Sequence, residues 1–173
     1  MSVSNLYDAY PIYKGNDLGV TYSKKKTTFK VWAPTADEVV LRIYPDGSQS
    51  LAESIHTMKK RENGTWSLIL KGDLHNKYYT YQAKIEGKLK NEVPDIYAKA
   101  VGINGKRGMI LDLTTTQPRN WESDRSPQYG DMKDAIIYEL HVKDATIFTN
   151  TPHKGKFLGL TDMHLKNSDG HTA

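Results

Sequence analysis

Through the first 113 positions apolar and polar residues alternate with a two-residue period, and helical periodicity is nearly absent. Thr28-Phe29-Lys30-Val31-Trp32 alternates and stops at Ala33-Pro34, where proline removes a ladder donor. Val39, Leu41 and Ile43 form one face of the next predicted strand, with Glu38, Arg42 and Tyr44 opposite. Pro45-Asp46-Gly47-Ser48 is a turn, because proline presets φ and glycine takes the strained position. A short edge strand is expected over Ile55 to Lys59. Glu62-Asn63-Gly64 carries a hairpin signal that leads into Trp66, Leu68 and Leu70 on one face. After the break at Lys71-Gly72-Asp73-Leu74, Tyr79, Tyr81, Ala83 and Ile85 alternate with Tyr78, Thr80, Gln82 and Lys84. Glu86-Gly87-Lys88 turns the chain back into Leu89 to Val93, and a final strand is expected over Gly108 to Leu113. About seven short strands at hairpin spacing predict an all-β fold, a β-sandwich.

The pattern changes after that. Residues 114–134 hold three threonines, two prolines and several charges with little periodicity, and read as a linker. Trp121 within it is expected to anchor on the sandwich. Ala135-Ile136-Ile137-Tyr138-Glu139-Leu140-His141-Val142 is a nearly continuous apolar run, the pattern of a strand buried on both faces of a parallel sheet. Lys143 to Ala173 supply no second strand pattern to pair with it. An uncovered apolar strand is an association hazard. The expectation is therefore disorder after about Asp134, or strand exchange that makes a homodimer.

Composition narrows the chemistry. The 173 residues carry 24 basic and 20 acidic side chains, for a net charge of +4. The basic clusters Lys24-Lys25-Lys26 and Lys59-Lys60-Arg61 lie beside turn signals and read as solvated hairpin tips. A nucleic-acid interface would need a denser basic stripe interleaved with aromatics, so no nucleic-acid partner is expected. There are no cysteines, which excludes disulfides, thiolate zinc sites and a cysteine nucleophile. No apolar stretch approaches the 18 or so residues of a spanning helix, so no membrane partner is expected. Met1 to Leu6 has neither a basic start nor an apolar run, so no signal peptide is read there and the compartment stays open. Eleven tyrosines against three phenylalanines suggest half-exposed aromatic surface. The histidines show no ligand spacing, and Asp162, His164 and Asp169 lack the density of a calcium loop, so neither metal nor cofactor is expected.

Several segments together resemble a known arrangement. Tyr7-Asp8-Ala9-Tyr10-Pro11, Asn16-Asp17-Leu18-Gly19-Val20-Thr21-Tyr22 and Thr28-Phe29-Lys30-Val31-Trp32-Ala33-Pro34 are similar to the start of the starch-debranching enzymes. Tyr78-Tyr79-Thr80-Tyr81, Pro94-Asp95-Ile96-Tyr97 and Asn104-Gly105-Lys106-Arg107-Gly108 continue the likeness in the same order. Ile136 to Asp144 resembles the first barrel strand of those enzymes, and Lys154 to Thr161 the loop after it. The likeness is to type I pullulanases of glycoside hydrolase family 13, with residues 16–113 resembling their carbohydrate-binding module of family 48. It implies four parts. These are an N-terminal extension (1–15), an immunoglobulin-like β-sandwich of the early-set type (16–113), a linker (114–134) and a truncated start of a (β/α)8 barrel (135–173).

The parent chemistry so implied is retaining hydrolysis of α-1,6-glucosidic bonds by a pair of carboxylates about 5 Å apart. In that family they follow the fourth, fifth and seventh barrel strands, and such a barrel needs about 250 residues. The expectation is therefore that this chain holds no catalytic residue and acts as a non-catalytic module. Its implied partners are the catalytic barrel of the same parent and an α-glucan bound weakly or not at all. A stand-alone glycogen-binding or regulatory module is the alternative. Glu139, Asp144 and His141 flank or line the predicted barrel strand and are read as structural.

Sugar binding would need aromatic faces exposed for stacking. Trp66 alternates with core leucines and reads as buried. Trp32 lies opposite Phe29 and Val31, where sugar stacking and contact with the catalytic domain are equal readings. Tyr78, Tyr97 and Asn104 are further candidates. The glycogen-binding branch of the module family has a tryptophan after the hairpin glycine, where Lys88-Leu89 stand here, and a lysine where Thr80 stands. The resemblance thus implies an eroded stacking site.

Overall fold

The computed structural model describes residues 9–126, 128 and 130–172. The chain divides into two units, one ending at Trp121 and the other beginning at Glu122. The division falls inside the segment read as a linker.

The first unit is built from nine strands among its described residues, arranged in two antiparallel sheets. They are β1 (Gly19–Ser23), β2 (Lys26–Trp32), β3 (Glu38–Tyr44), β4 (Ser54–Thr57), β5 (Lys59–Lys60), β6 (Thr65–Lys71), β7 (Tyr78–Ile85), β8 (Lys88–Val93) and β9 (Gly108–Met109). Sheet 1 has the order β1-β2-β6-β5 and sheet 2 the order β4-β3-β7-β8. β8 pairs with the second half of β7, and β9 with its first two residues. The registers follow the alternation: Val20 faces Phe29 and Phe29 faces Leu68, while Leu41 faces Tyr81 and Ile43 faces Tyr79. A one-residue slip would turn every one of these side chains to solvent, so burial fixes the register. Phe29, Val39, Leu41, Ile43, Trp66, Tyr79, Tyr81 and Ile110 form the core between the sheets. Each apolar side chain buried there contributes about 1.5–3 kcal/mol.

Four expectations about this unit are corrected and one strand is added. β1 lacks a long alternating run and was not anticipated as a strand; Ser23 to Lys26 close a hairpin that supplies its partner. The expected final strand shrinks to Gly108–Met109, because Ile110 leaves the ladder to donate its N–H to Lys77 O and buries its side chain in the core. The region of Ile55 to Lys59 is not one edge strand: Met58 is buried, and the chain passes from the edge of sheet 2 (β4) to the edge of sheet 1 (β5). Lys59 and Lys60 consequently form an edge strand, not a hairpin tip, and the tip is the 3-10 turn Glu62–Gly64 with Asn63 at φ 53°. Trp121 is 55% exposed and does not serve as a buried anchor.

The second unit contains a short helix α1 (Val142–Thr146) and 3-10 turns at Met132–Asp134 and Phe157–Thr161. Its small interior is made of threonines. Thr146 is buried, donates to Val142 O (3.2 Å) and accepts from Gly155 N–H (2.8 Å), while buried Thr151 donates to Asp162. Residues 142–172 thus form local structure. The predicted strand 135–142 is also corrected. No described residue pairs with 135–141, and Ile136, Ile137 and Tyr138 are 96%, 87% and 83% exposed. An apolar segment becomes a strand only when a neighbour takes its backbone hydrogen bonds. His141 lines no barrel here; its ring caps α1 and meets Asp144 at 3.1 Å.

Candidate functional site

β2 positions the first candidate. Outward residues of β2 alternate as Thr28, Lys30 and Trp32 against inward Phe29 and Val31, so Trp32 ends the strand on the outer face of sheet 1. The indole is 38% exposed, and its N–H donates to Pro11 O and Asn63 O, both at 3.1 Å. Tyr10 stands edge-on to it with ring centroids 6.5 Å apart. Beside it Ile12, Tyr13, Leu18 and Tyr97 complete a groove of about 290 Å³.

Tyr97 reaches this groove because of a buried aspartate two residues earlier. Asp95 accepts from Tyr97 N–H (2.8 Å), closing an Asx turn, and from the core Tyr79 hydroxyl (2.7 Å). Burial pushes the Asp95 carboxyl above the usual carboxylate range, against the opposing pull of the Tyr97 N–H and the Tyr79 hydroxyl. Burial likewise raises the Tyr79 phenol, and the Asp95 charge adds to it. The Tyr97 backbone then crosses β1 at Gly19, whose φ is 98°. A Cβ there would meet Tyr97 Cβ at 2.9 Å, so only glycine permits the crossing. On its other side Tyr97 lines a second cavity of about 250 Å³ with Val20, Tyr22 and Lys99.

The outer face of sheet 1 continues from Trp32 to Lys30, which donates to the Tyr13 hydroxyl (3.1 Å) and pairs with Asp17. The hydrogen bond from Lys30 holds Asp17 below the usual carboxylate range and raises Lys30 in return. Tyr13 also lines a wider cleft of about 520 Å³ with Lys30, Lys60, Arg61, Glu62 and Ser67.

Tyr78 and Asn104 lie elsewhere. Tyr78 is half-buried at the end of sheet 2, packed on the turn at Gly47. Gly47 and Gly102 touch so closely that a Cβ on Gly102 would lie 2.5 Å from Gly47 O. Asn104 is exposed with φ 55° in the following turn, a conformation asparagine tolerates. The outer face of sheet 2 is engaged with itself. Buried Thr80 donates to Glu92 (2.7 Å), Tyr44 also donates to Glu92, and Arg42 donates to Gln82 (2.7 Å). Arg107 covers the Tyr44 ring at 3.5 Å and donates to Asp46 O (2.9 Å), Ser50 Oγ (3.0 Å) and Ser50 O (2.8 Å). Leu89 is 61% exposed beside this network and offers no stacking face.

The structure thus joins Trp32 to Tyr97 and leaves Tyr78 and Asn104 apart from them. Ile12, Tyr13 and Leu18 were missed by sequence reasoning, because no periodicity marks the segment before β1. The Pro-Asp-x-Tyr order of 94–97 was the available signal for Asp95. Among the described residues no cluster of histidine and acidic side chains could hold a metal ion.

Residues 17–98 match carbohydrate-binding module 48, the isoamylase N-terminal domain. Over 93% of its length the chain is 31% identical to the pullulanase of Bacillus subtilis (strain 168), covering 22% of that protein. The chloroplastic pullulanase 1 of Arabidopsis thaliana is 27% identical over 83% of the chain. The crystal structure of apo pullulanase from Paenibacillus barengoltzii superposes with a TM-score of 0.89 at 40% identity, over 96% of this chain and 26% of that one. A mutant of the same enzyme, complexed with maltotriose, covers 100% of this chain with a TM-score of 0.87. The chain thus spans between 16% and 27% of the length of these relatives.

Proposed function

We propose that the chain, whose residues 17–98 match carbohydrate-binding module 48, serves as the non-catalytic N-terminal part of an α-1,6-glucan debranching enzyme. The observation that carries this reading is the collinear likeness to pullulanases across both units, not only across the module. On this reading residues 135–173 begin the catalytic barrel. Ile136, Ile137 and Tyr138 would be covered by neighbouring strands of that barrel, which supports an interior role for a segment otherwise so exposed.

The sandwich then supports the catalytic part and touches α-glucan through Trp32 and Tyr97. Two aromatic faces in one groove of about 290 Å³ suit the apolar face of a glucose ring. Weak binding is expected. The Trp32 indole N–H is already taken up by Pro11 O and Asn63 O, and on the outer face of sheet 2 Thr80 and Arg42 are engaged with Glu92 and Gln82.

Calorimetry with linear maltooligosaccharides tests this. The expected Kd is about 1 mM or weaker, equivalent to roughly −4 kcal/mol, and Trp32→Ala abolishes the signal. A micromolar Kd that survives Trp32→Ala would overturn the assignment of the site. Incubation with pullulan is expected to release no reducing sugar, and turnover above a buffer blank would overturn the non-catalytic reading. Light scattering checks the exposed 136–140 segment: a stable dimer would place a second copy, through strand exchange, where the barrel is proposed.

A further inference from the structure

Tyr97 has a second side, and the cavity there is built from groups that the Trp32 groove does not use. The Tyr97 backbone crosses β1 at Gly19, where Leu18 lines the groove and Val20 lines the cavity of about 250 Å³. Tyr22 is a further wall of that cavity. Its hydroxyl donates to Asp73 (2.7 Å), and its ring centroid lies 5.7 Å from that of His75. His75 is fixed in turn: its backbone N–H donates to the same Asp73 oxygen (2.9 Å), and its Nδ1 accepts from Asp112 N–H (3.1 Å). The Tyr97 backbone is held by the turn at Asp95. Both aromatic walls are therefore tied down before a ligand arrives, which lowers the entropy lost on binding.

The lining combines an apolar part with groups of both charges. Val20, Met109 and Leu111 are half-buried and supply the apolar part. Lys99 is exposed and, among the described residues, unpaired. Asp112 Oδ1 accepts from Thr114 Oγ1 (2.7 Å) and Thr114 N–H (3.1 Å), which hold its carboxyl below the usual carboxylate range. Its Oδ2 takes no hydrogen bond from a described residue. An ammonium and an ionised carboxylate in one lining favour neither anions nor cations. Together they serve a neutral, polyhydroxylated ring, the ammonium as donor and the carboxylate as acceptor. Tyrosine rings beside aliphatic side chains suit the apolar C–H face of that ring.

We infer that this cavity is a second glucan subsite, taking one glucose unit of an α-glucan whose neighbouring units rest on Trp32 in the groove beyond Tyr97. This rests on the glucan reading above and specifies its ligand, a linear segment that reaches both sides of Tyr97. Leu18 and Val20 are two positions apart, at most about 7 Å along the chain. A few linked glucose units can therefore occupy both spaces.

The test titrates maltose and maltohexaose into the full chain, followed by NMR of the Trp32 indole N–H, the Met109 methyl and the Tyr22 amide. Maltohexaose is expected to bind about tenfold more tightly than maltose, because its second contact is intramolecular, and to shift all three signals. Ala100→Phe, which fills the cavity, is expected to bring maltohexaose down to the maltose level. Lys99→Met, which leaves the cavity open, is expected to weaken it about threefold. Shifts at Trp32 with none at Met109 or Tyr22 would overturn this inference and leave the glucan reading intact. A length preference that persists in both variants would likewise overturn the assignment of the cavity. Met109 shifts undiminished in Trp32→Ala would refute one glucan shared between the two spaces. No shift at any of the three signals, with either sugar, would sink the glucan reading itself.

Discussion

The bond between Tyr79 and Asp95 is where the core and the candidate site are tied together, and a double-mutant cycle measures it. Tyr79 is fully buried and Asp95 is 6% exposed, so neither group can turn to water when its partner is removed. The carboxylate has two donors, the Tyr79 hydroxyl at 2.7 Å and the Tyr97 N–H at 2.8 Å. A hydrogen bond to a charged group contributes about 1.5–3 kcal/mol. Tyr79→Phe takes one donor from a buried carboxylate and is expected to cost about 2 kcal/mol. Asp95→Ala leaves the phenol and the Tyr97 N–H without an acceptor, for about 2–3 kcal/mol. The double variant loses the shared bond once, so its cost should fall short of additivity by about 1.5 kcal/mol. Urea denaturation read by the fluorescence of buried Trp66 provides the assay. At a slope of about 1–3 kcal/mol per molar, 2 kcal/mol moves the midpoint by on the order of 1 M. Additivity within about 0.5 kcal/mol would refute the coupling. The same aspartate has a pH signature. Its folded carboxyl binds a proton more readily than the ordinary group, so its stabilising contribution is full below the unfolded value of 3.8 and fades as pH rises through the raised folded value. Asp95→Asn should flatten that dependence.

Asp46 gives the opposite sign. The N–H groups of Ser48 and Gln49 pull its carboxyl down to about 2, so the stability it provides is present above its ordinary value of 3.8 and is lost as pH falls toward 2. Acid titration of Asp46→Asn should lack the loss between about pH 4 and 2. Arg107→Met removes four contacts from a guanidinium that is nearly buried, and is expected to cost about 2–3 kcal/mol, visible as a melting temperature lower by on the order of 10 °C. Gly19→Ala is expected to destabilise by about 1–2 kcal/mol and to perturb the Tyr97 resonances, because the new Cβ would lie against Tyr97. Unchanged Tyr97 signals would refute that crossing as the constraint.

The alternation of residues 28–32, 38–44, 66–70 and 78–85 was enough to specify strands, their inward faces and the burial of Phe29, Leu41, Trp66 and Tyr79. A two-residue period and one buried face determine register locally. The outward position of Trp32 followed from the same parity. The ordered motifs likewise carried the resemblance that the module and pullulanase likenesses bear out. Contacts between residues distant in sequence were decided only by the tertiary structure. Asp95 is an ordinary turn aspartate until Tyr79 reaches it across 16 positions, and Arg107 is a loop cation until Tyr44 and Ser50 meet it. The groove at Trp32 needed Ile12 and Tyr13, which have no pattern of their own. The apolar run 135–142 shows the converse limit. Composition gives a segment the propensity for a strand, but a strand exists only where another supplies its ladder of hydrogen bonds, and no strand among the described residues pairs with it.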